Sequence, residues 1–194
     1  MTSHLTNGAG AFIIESMDVR ERIEECMSEY PICEYAFLTP SEIPFRRQVR
    51  HICETECPRY GTSWSCPPAV GTVEECRARC LEFGNALIFT TIAEEVDIED
   101  MSAMLATRRE HEAVTTELRD RMADFCGEML VLSTESCAIC EKCAYPYAPC
   151  RHPELMFPCI ESYGILVTKL ADDFGITFMN QGNVVTWFSL ILYG

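Results

Sequence analysis

The sequence lacks the usual signatures of nucleotide, phosphate and hydrolase chemistry. It contains no G-x-G-x-x-G, no G-x-x-x-x-G-K-[ST], no H-E-x-x-H and no G-x-S-x-G. Cys53-x-x-x-Cys57 begins like the C-x-x-x-C-x-x-C run of radical-SAM proteins, but the next cysteine, Cys66, is too distant. Apolar runs such as 86–89 and 184–192 are too short or too broken to cross a bilayer. The first 17 residues have neither the basic start nor the continuous apolar segment of a signal peptide, which predicts a cytoplasmic protein with no membrane partner. No internal repeat and no low-complexity linker interrupts the chain. Positive charge is scarce: 15 basic residues face 30 acidic ones, a formal net charge of −15. Such a surface repels phosphate backbones, which argues against nucleic acid, and attracts a protein with a basic docking patch.

What is abundant is cysteine. The chain has 194 residues, 48% of them hydrophobic, enough for one domain over 1–194 with a real core. Thirteen cysteines in a reducing compartment point to metal ligation or redox chemistry, and the odd count fits a closed disulfide framework poorly.

The patterning mixes helices and strands. A helix is expected over 17–29, with Val19, Ile23 and Met27 at helical spacing and Pro31 after it. A short strand is expected over 33–38, and the Cys-, Pro- and Gly-rich stretch 50–70 reads as a cofactor-holding loop. Thr72 with Glu75 forms a capping box that starts a helix to about Phe83, and 85–92 reads as a buried strand. In 98–125, Ile98, Met101, Leu105, Val114, Leu118, Met122 and Phe125 recur on one helical face, closed by Gly127. A strand over 128–132, a helix from Pro158 to about Leu170, and a hairpin of 174–179 with 184–192 across Gln181, Gly182 and Asn183 complete the pattern. The fold class expected is α/β, as an α+β sandwich with a mostly antiparallel sheet, packed helices and two Cys-rich cofactor loops at about 50–76 and 137–159.

The second loop has the sharper motif, Cys137, Cys140, Cys143 and Cys150 in CAICEKCAYPYAPCRHP. Two successive C-x-x-C steps gather three thiolates on one side of a compact centre, and the fourth closes it from the far end. Bacterial ferredoxins share the first two steps, with a shorter third. Zinc is the competing cofactor, although its structural sites use two C-x-x-C knuckles well separated in sequence. Three cysteines within seven residues suit a cube whose corners stand farther apart than the ligands of one ion. Arg151 offsets negative cluster charge, and His152 is placed to donate a hydrogen bond to a cluster sulfur.

The first loop holds Cys53, Cys57 and Cys66 in HICETECPRYGTSWSCPPAVGT. Cys76 is the expected fourth ligand, with Cys80 or a crossed cysteine as substitutes, and Tyr60 and Trp64 as shields against water. His51 is a weaker version of His152. Cys26, Cys33 and Cys126 read as ordinary small buried residues, Cys159 as packing, and His4 and His111 as structural or solvated.

The blocks C-x-x-x-C-P-x-Y-G-x-S-W-S-C-P-P at 53–68 and C-x-x-C-x-x-C-A…P-C-R-H-P-E at 137–154, with Glu161-Ser-Tyr-Gly164-Ile165, resemble the DUF2284 family of predicted metal-binding proteins. The likeness runs from about Cys53 onward. It implies a cysteine-rich, metal-binding protein of anaerobic bacteria and archaea, and it supplies no substrate. In the family pattern a small or apolar residue follows the proline equivalent to Pro158, which supports leaving Cys159 out of the ligand set.

Three functions follow as expectations. The first is electron transfer to a redox partner through two [4Fe–4S] clusters, one on Cys137, Cys140, Cys143 and Cys150 and one on Cys53, Cys57, Cys66 and Cys76. The second is an iron–sulfur enzyme whose first cluster keeps an open corner for a small molecule. The third is an interaction module stabilised by Zn2+.

Overall fold

The computed structural model describes residues 18–94, 96–97, 99–180 and 182–194. Its centre is a four-stranded antiparallel sheet in the order β1-β2-β4-β3, built from β1 (Tyr35–Leu38), β2 (Asn85–Ala93), β3 (Met129–Leu132) and β4 (Val185–Tyr193). The long central pair runs from Asn85 opposite Tyr193 to Ala93 opposite Val185. Side chains alternate across a strand, so β2 divides its apolar residues between two cores. Leu87 and Phe89 join Ile191, Tyr193 and Val131 against α1 (Val19–Met27) and α4 (Met101–Cys126). Ala86 and Ile88 join Leu190, Leu192 and Leu132 against α3 (Val73–Cys80), α5 (Val167–Asp173) and the segment around Ile160–Ile165. Helices cover both faces, which gives the α+β sandwich with an antiparallel sheet that the patterning predicts.

Local signals explain most boundaries. Asp18 and Glu21 make a reciprocal capping box at α1, and Thr72 and Glu75 make another at α3. Asp100 caps α4 by accepting from the Ser102 and Ala103 N–H groups.

Four expectations need correction. The loop expected from residue 50 begins as a helix, α2 (Arg47–Thr55), so Cys53 stands on a helix. The helix expected after Pro158 breaks into a 3₁₀ turn, Glu161–Tyr163, and α5. Gly164 separates them with φ of 78°, and a Cβ there would lie 2.9 Å from Val73 Cγ2 and 3.3 Å from the Arg46 carbonyl oxygen. Residues 174–179 form no strand: the Thr177 N–H donates to the Glu34 carboxylate at 2.9 Å, and Phe178 stacks on Phe188 with ring centres 5.5 Å apart. Gln181 of the expected turn lies outside the described residues, as do Ile98, His4 and the side chain of Met101.

The fourth correction concerns α4, whose buried stripe is Arg108, His111, Thr115, Leu118, Met122 and Cys126, while Leu105 faces solvent. Half of this stripe is polar: Arg108 donates from Nη2 to Glu112 at 2.7 Å while its Nε has no partner, and His111 and Thr115 are paired. His111 Nδ1 lies 2.8 Å from Thr91 Oγ1, and Nε2 lies 2.9 Å from Ser189 Oγ, which also meets Thr115 Oγ1 at 2.8 Å. Burial pushes the His111 pKa from 6.5 down to about 4, with the Phe188 backbone opposing and Arg108 adding to the shift. The unfolded chain therefore binds a proton between pH 6.5 and 4 that the fold rejects, so stability present above pH 6.5 falls as the pH drops. The expected loss by pH 4 is about 3 kcal/mol, at roughly 1.4 kcal/mol per pH unit. Urea unfolding of wild type and His111→Gln at several pH values checks it: the variant's profile should be flatter over this window, and parallel profiles would contradict the account.

Candidate metal centre

Three chain segments meet beside the open end of β3. Ser133, just past β3, forms a parallel bridge with Cys159, donates its N–H to the Pro158 carbonyl and accepts from the Ile160 N–H. This closes the second cysteine loop at its base. The Cys159 N–H donates to the Ser65 carbonyl at 3.2 Å, and the Cys137 N–H donates to Ser65 Oγ at 2.8 Å, which ties the first loop to the same point. Ser65 is fully buried, and its Oγ also lies 2.9 Å from Ser63 Oγ and 3.7 Å from Cys66 Sγ.

Two thiol-lined cavities lie on either side of this junction. The second loop's four cysteines, Cys137, Cys140, Cys143 and Cys150, line one cavity together, with Arg151, His152, Ser63 and Trp64 in its wall. Its volume is about 20 Å³, room for a single water or ion. Cys53, Cys57 and Cys66 line the other, of about 230 Å³, faced by Ser136, Cys159 and Glu161. Among the described residues, no three His, Cys, Asp or Glu side chains are grouped closely enough to hold one metal ion. The donor set is thiol-rich in both cavities, and the wider one has the space that a polynuclear iron–sulfur group requires.

The first loop reaches into the second loop's cavity. Trp64 packs edge-on against Tyr145, ring centres 5.0 Å apart, and donates its indole N–H to the Ala148 carbonyl at 3.0 Å. Burial alone would raise the Cys143 thiol, but the N–H groups of Tyr145, Trp64 and Ala144 and the Ser63 hydroxyl outweigh it and hold the thiol below its ordinary value. Donors aimed at a sulfur stabilise thiolate, the form that ligates metal. Burial raises Cys137, against a hydrogen bond from the Ile139 N–H, and it raises Cys66, against one from the Ser65 hydroxyl. Cys53 is raised by burial and by its neighbour Cys57, with Arg50 opposing.

Cys76, the expected fourth ligand of the first group, lies elsewhere. Its side chain is 0% exposed within the apolar core that also holds Cys80. Its Sγ accepts from Arg79 at 3.3 Å and Arg50 at 3.8 Å, and donates to the Val70 carbonyl at 3.4 Å. Helical spacing made it a natural partner for Cys66, but α3 turns that face into the core. Cys159 takes a place on the cavity instead. Tyr60 lines the first cavity, whereas Trp64 lines the second. His51 points to a separate open cleft of about 520 Å³ between α2 and the start of α3. Cys33 is exposed, unlike the buried Cys26 and Cys126. Sequence reasoning missed Glu161, whose signal was its nearness to Cys159, and the reach of Ser63 and Trp64 into the other loop's site, which no local pattern encodes.

A family model described as "Predicted metal-binding protein (DUF2284)" matches residues 36–193. No curated protein and no solved structure matches the chain.

Proposed function

The chain belongs to the DUF2284 family of predicted metal-binding proteins, and from that premise we propose that it is an iron–sulfur protein with two adjacent centres, working in electron transfer. One observation carries the reading: Cys137 of one thiol-lined cavity and Cys66 of the other meet the same buried side chain, since Ser65 Oγ touches both the Cys137 N–H and Cys66 Sγ. Two redox groups on either side of one buried residue suit passing an electron from one to the other. Cys137, Cys140, Cys143 and Cys150 would hold one cluster; Cys53, Cys57 and Cys66 would hold the other. Such clusters supply one-electron redox chemistry when bound. The chain's own part is to supply thiolates, to keep water from the buried Cys66 side, and to direct N–H and O–H donors at Cys143. Arg151 and His152, in the wall of the second cavity, would temper the negative charge of a cluster. The net charge of −15 favours a redox partner with a basic docking patch. No helix among the described residues is long and apolar enough to cross a membrane.

A second reading is favoured by one feature, the narrowness of the four-cysteine cavity. At about 20 Å³ it has room for a lone Zn2+, whose binding would draw the four thiolates closer together, with any cluster confined to the first site. Metal analysis of anaerobically prepared protein separates the readings. About eight irons per chain, on the usual four per cluster, is the expected result. One zinc with about four irons supports the second reading, and colourless protein with zinc alone would overturn the iron–sulfur assignment.

A further inference from the structure

We propose that Cys159, and not Cys76, is the fourth thiolate of the first centre. The inference rests on the reading of that centre as an iron–sulfur cluster and adds one ligand to it. Cys53 comes from α2, and Cys57 and Cys66 come from the loop after it. Their cavity is also lined by residues 134–136 and by Cys159, Glu161 and Ser162, which come from two other segments of the chain. Cys159 therefore brings a fourth thiol to the same cavity from a separate segment, as a fourth corner requires.

The buried cysteines divide into two kinds. Cys26, Cys76, Cys80 and Cys126 each belong to one of the two apolar cores. Cys66 and Cys159 are buried as well but belong to neither core, and both line the cavity. A thiol that packs in no apolar cluster and borders a void shared with three other thiols is placed for ligation. Cys76 has the opposite surroundings: two guanidinium groups and a carbonyl already satisfy its sulfur.

The backbone holds Cys159 in position independently of its side chain. Its N–H is bound by the Ser65 carbonyl, next to Cys66, and the residue bridges Ser133. Cys159 Sγ donates to Glu161 Oε2 at 2.9 Å. Ligation replaces that S–H bond by a sulfur–iron bond, the proton passes to the Glu161 carboxylate, and no electron changes hands.

The test uses the full chain, prepared anaerobically as wild type, Cys159→Ser, Cys159→Ala and Cys76→Ala, with circular dichroism to verify folding. Iron and sulfide per chain and the EPR spectrum after dithionite reduction are measured on each. Both Cys159 variants should lose the first centre's share, about four irons, or retain a three-iron form with a new EPR signal. Cys76→Ala should keep the wild-type iron and spectrum. Wild-type iron and signals in both Cys159 variants would overturn the assignment, as would loss of one centre in a folded Cys76→Ala protein. A wild-type chain that binds no iron would instead overturn the parent reading, before any variant is compared.

Discussion

The double variant Cys140→Ala/Cys143→Ala, prepared anaerobically, should lose about half of the wild-type iron while remaining folded, on the count of four irons per cluster. Both residues line the second cavity and neither belongs to an apolar core, so their removal costs ligands rather than packing. Cys143 is the thiol that backbone N–H groups and Ser63 hold toward thiolate, and Cys140 lies one C-x-x-C step before it. Replacing both prevents rescue by a three-thiolate cluster. The first centre should survive, because Cys53, Cys57, Cys66 and Cys159 are untouched. Cys33→Ala is the control: that thiol is exposed and lines neither cavity, so its iron content should equal that of wild type. Iron and sulfide assays decide the matter. Unchanged iron in the double variant would remove the second loop from the metal-binding account.

Replacing Arg50 with methionine should cause the largest loss of stability of any single change considered. Arg50 is 7% exposed. Its Nη1 donates to the Gly71 carbonyl at 2.6 Å, and its Nη2 donates to the Ser162 carbonyl and to Cys76 Sγ. One side chain thereby pins α2, which carries Cys53, to the start of α3 and to the turn that follows Cys159. Methionine fills much of the space but leaves two carbonyls without donors and the Cys76 sulfur with Arg79 alone. Hydrogen bonds from a charged donor contribute about 1.5–3 kcal/mol each, so the expected cost is ~3–5 kcal/mol. The Arg50 Nε has no partner, which trims the gain from the native arginine and favours the lower part of that range. Urea midpoints of the metal-free chain measure the effect. Arg47→Met, which removes a solvent-exposed pair with Glu74, should leave the midpoint close to wild type. Equal midpoints for Arg50→Met and wild type would show that the buried guanidinium does not hold the site together.

The legible parts of the fold were those specified locally. Capping boxes need only four residues, so Thr72 with Glu75 marked the start of α3 correctly. The apolar runs of β2 and β4 read as buried strands because both faces of each are covered. The failures have a common physical origin in contacts distant along the chain. Whether 174–179 could pair with β4 depended on a distant partner, because the Thr177 N–H is taken by the Glu34 carboxylate, 143 residues away. Along α4 the first buried turns are Arg108, His111 and Thr115, which look like surface until Thr91 and Ser189 arrive as partners. Helix α2 stayed hidden because RQVRHICET has few apolar residues and its buried anchor is an arginine.

The site divides along the same line. The spacing of Cys137, Cys140, Cys143 and Cys150 predicted their gathering, and the structure places all four around one cavity with Arg151 and His152. Cys53, Cys57 and Cys66 line the other cavity. The fourth position of that group could not be read from spacing, because Cys159 arrives from 93 residues beyond Cys66, brought by the bridge at Ser133. Cys76 was nearer in sequence, yet the helix that carries it turns its thiol into the core.

Iron K-edge X-ray absorption on the anaerobically purified full chain tests the central claim most directly. Thiolate cavities occupied by clusters predict a first shell of sulfur alone, together with scattering between neighbouring irons. A shell of nitrogen and oxygen around isolated irons, or a sample whose only bound metal is zinc, would contradict it.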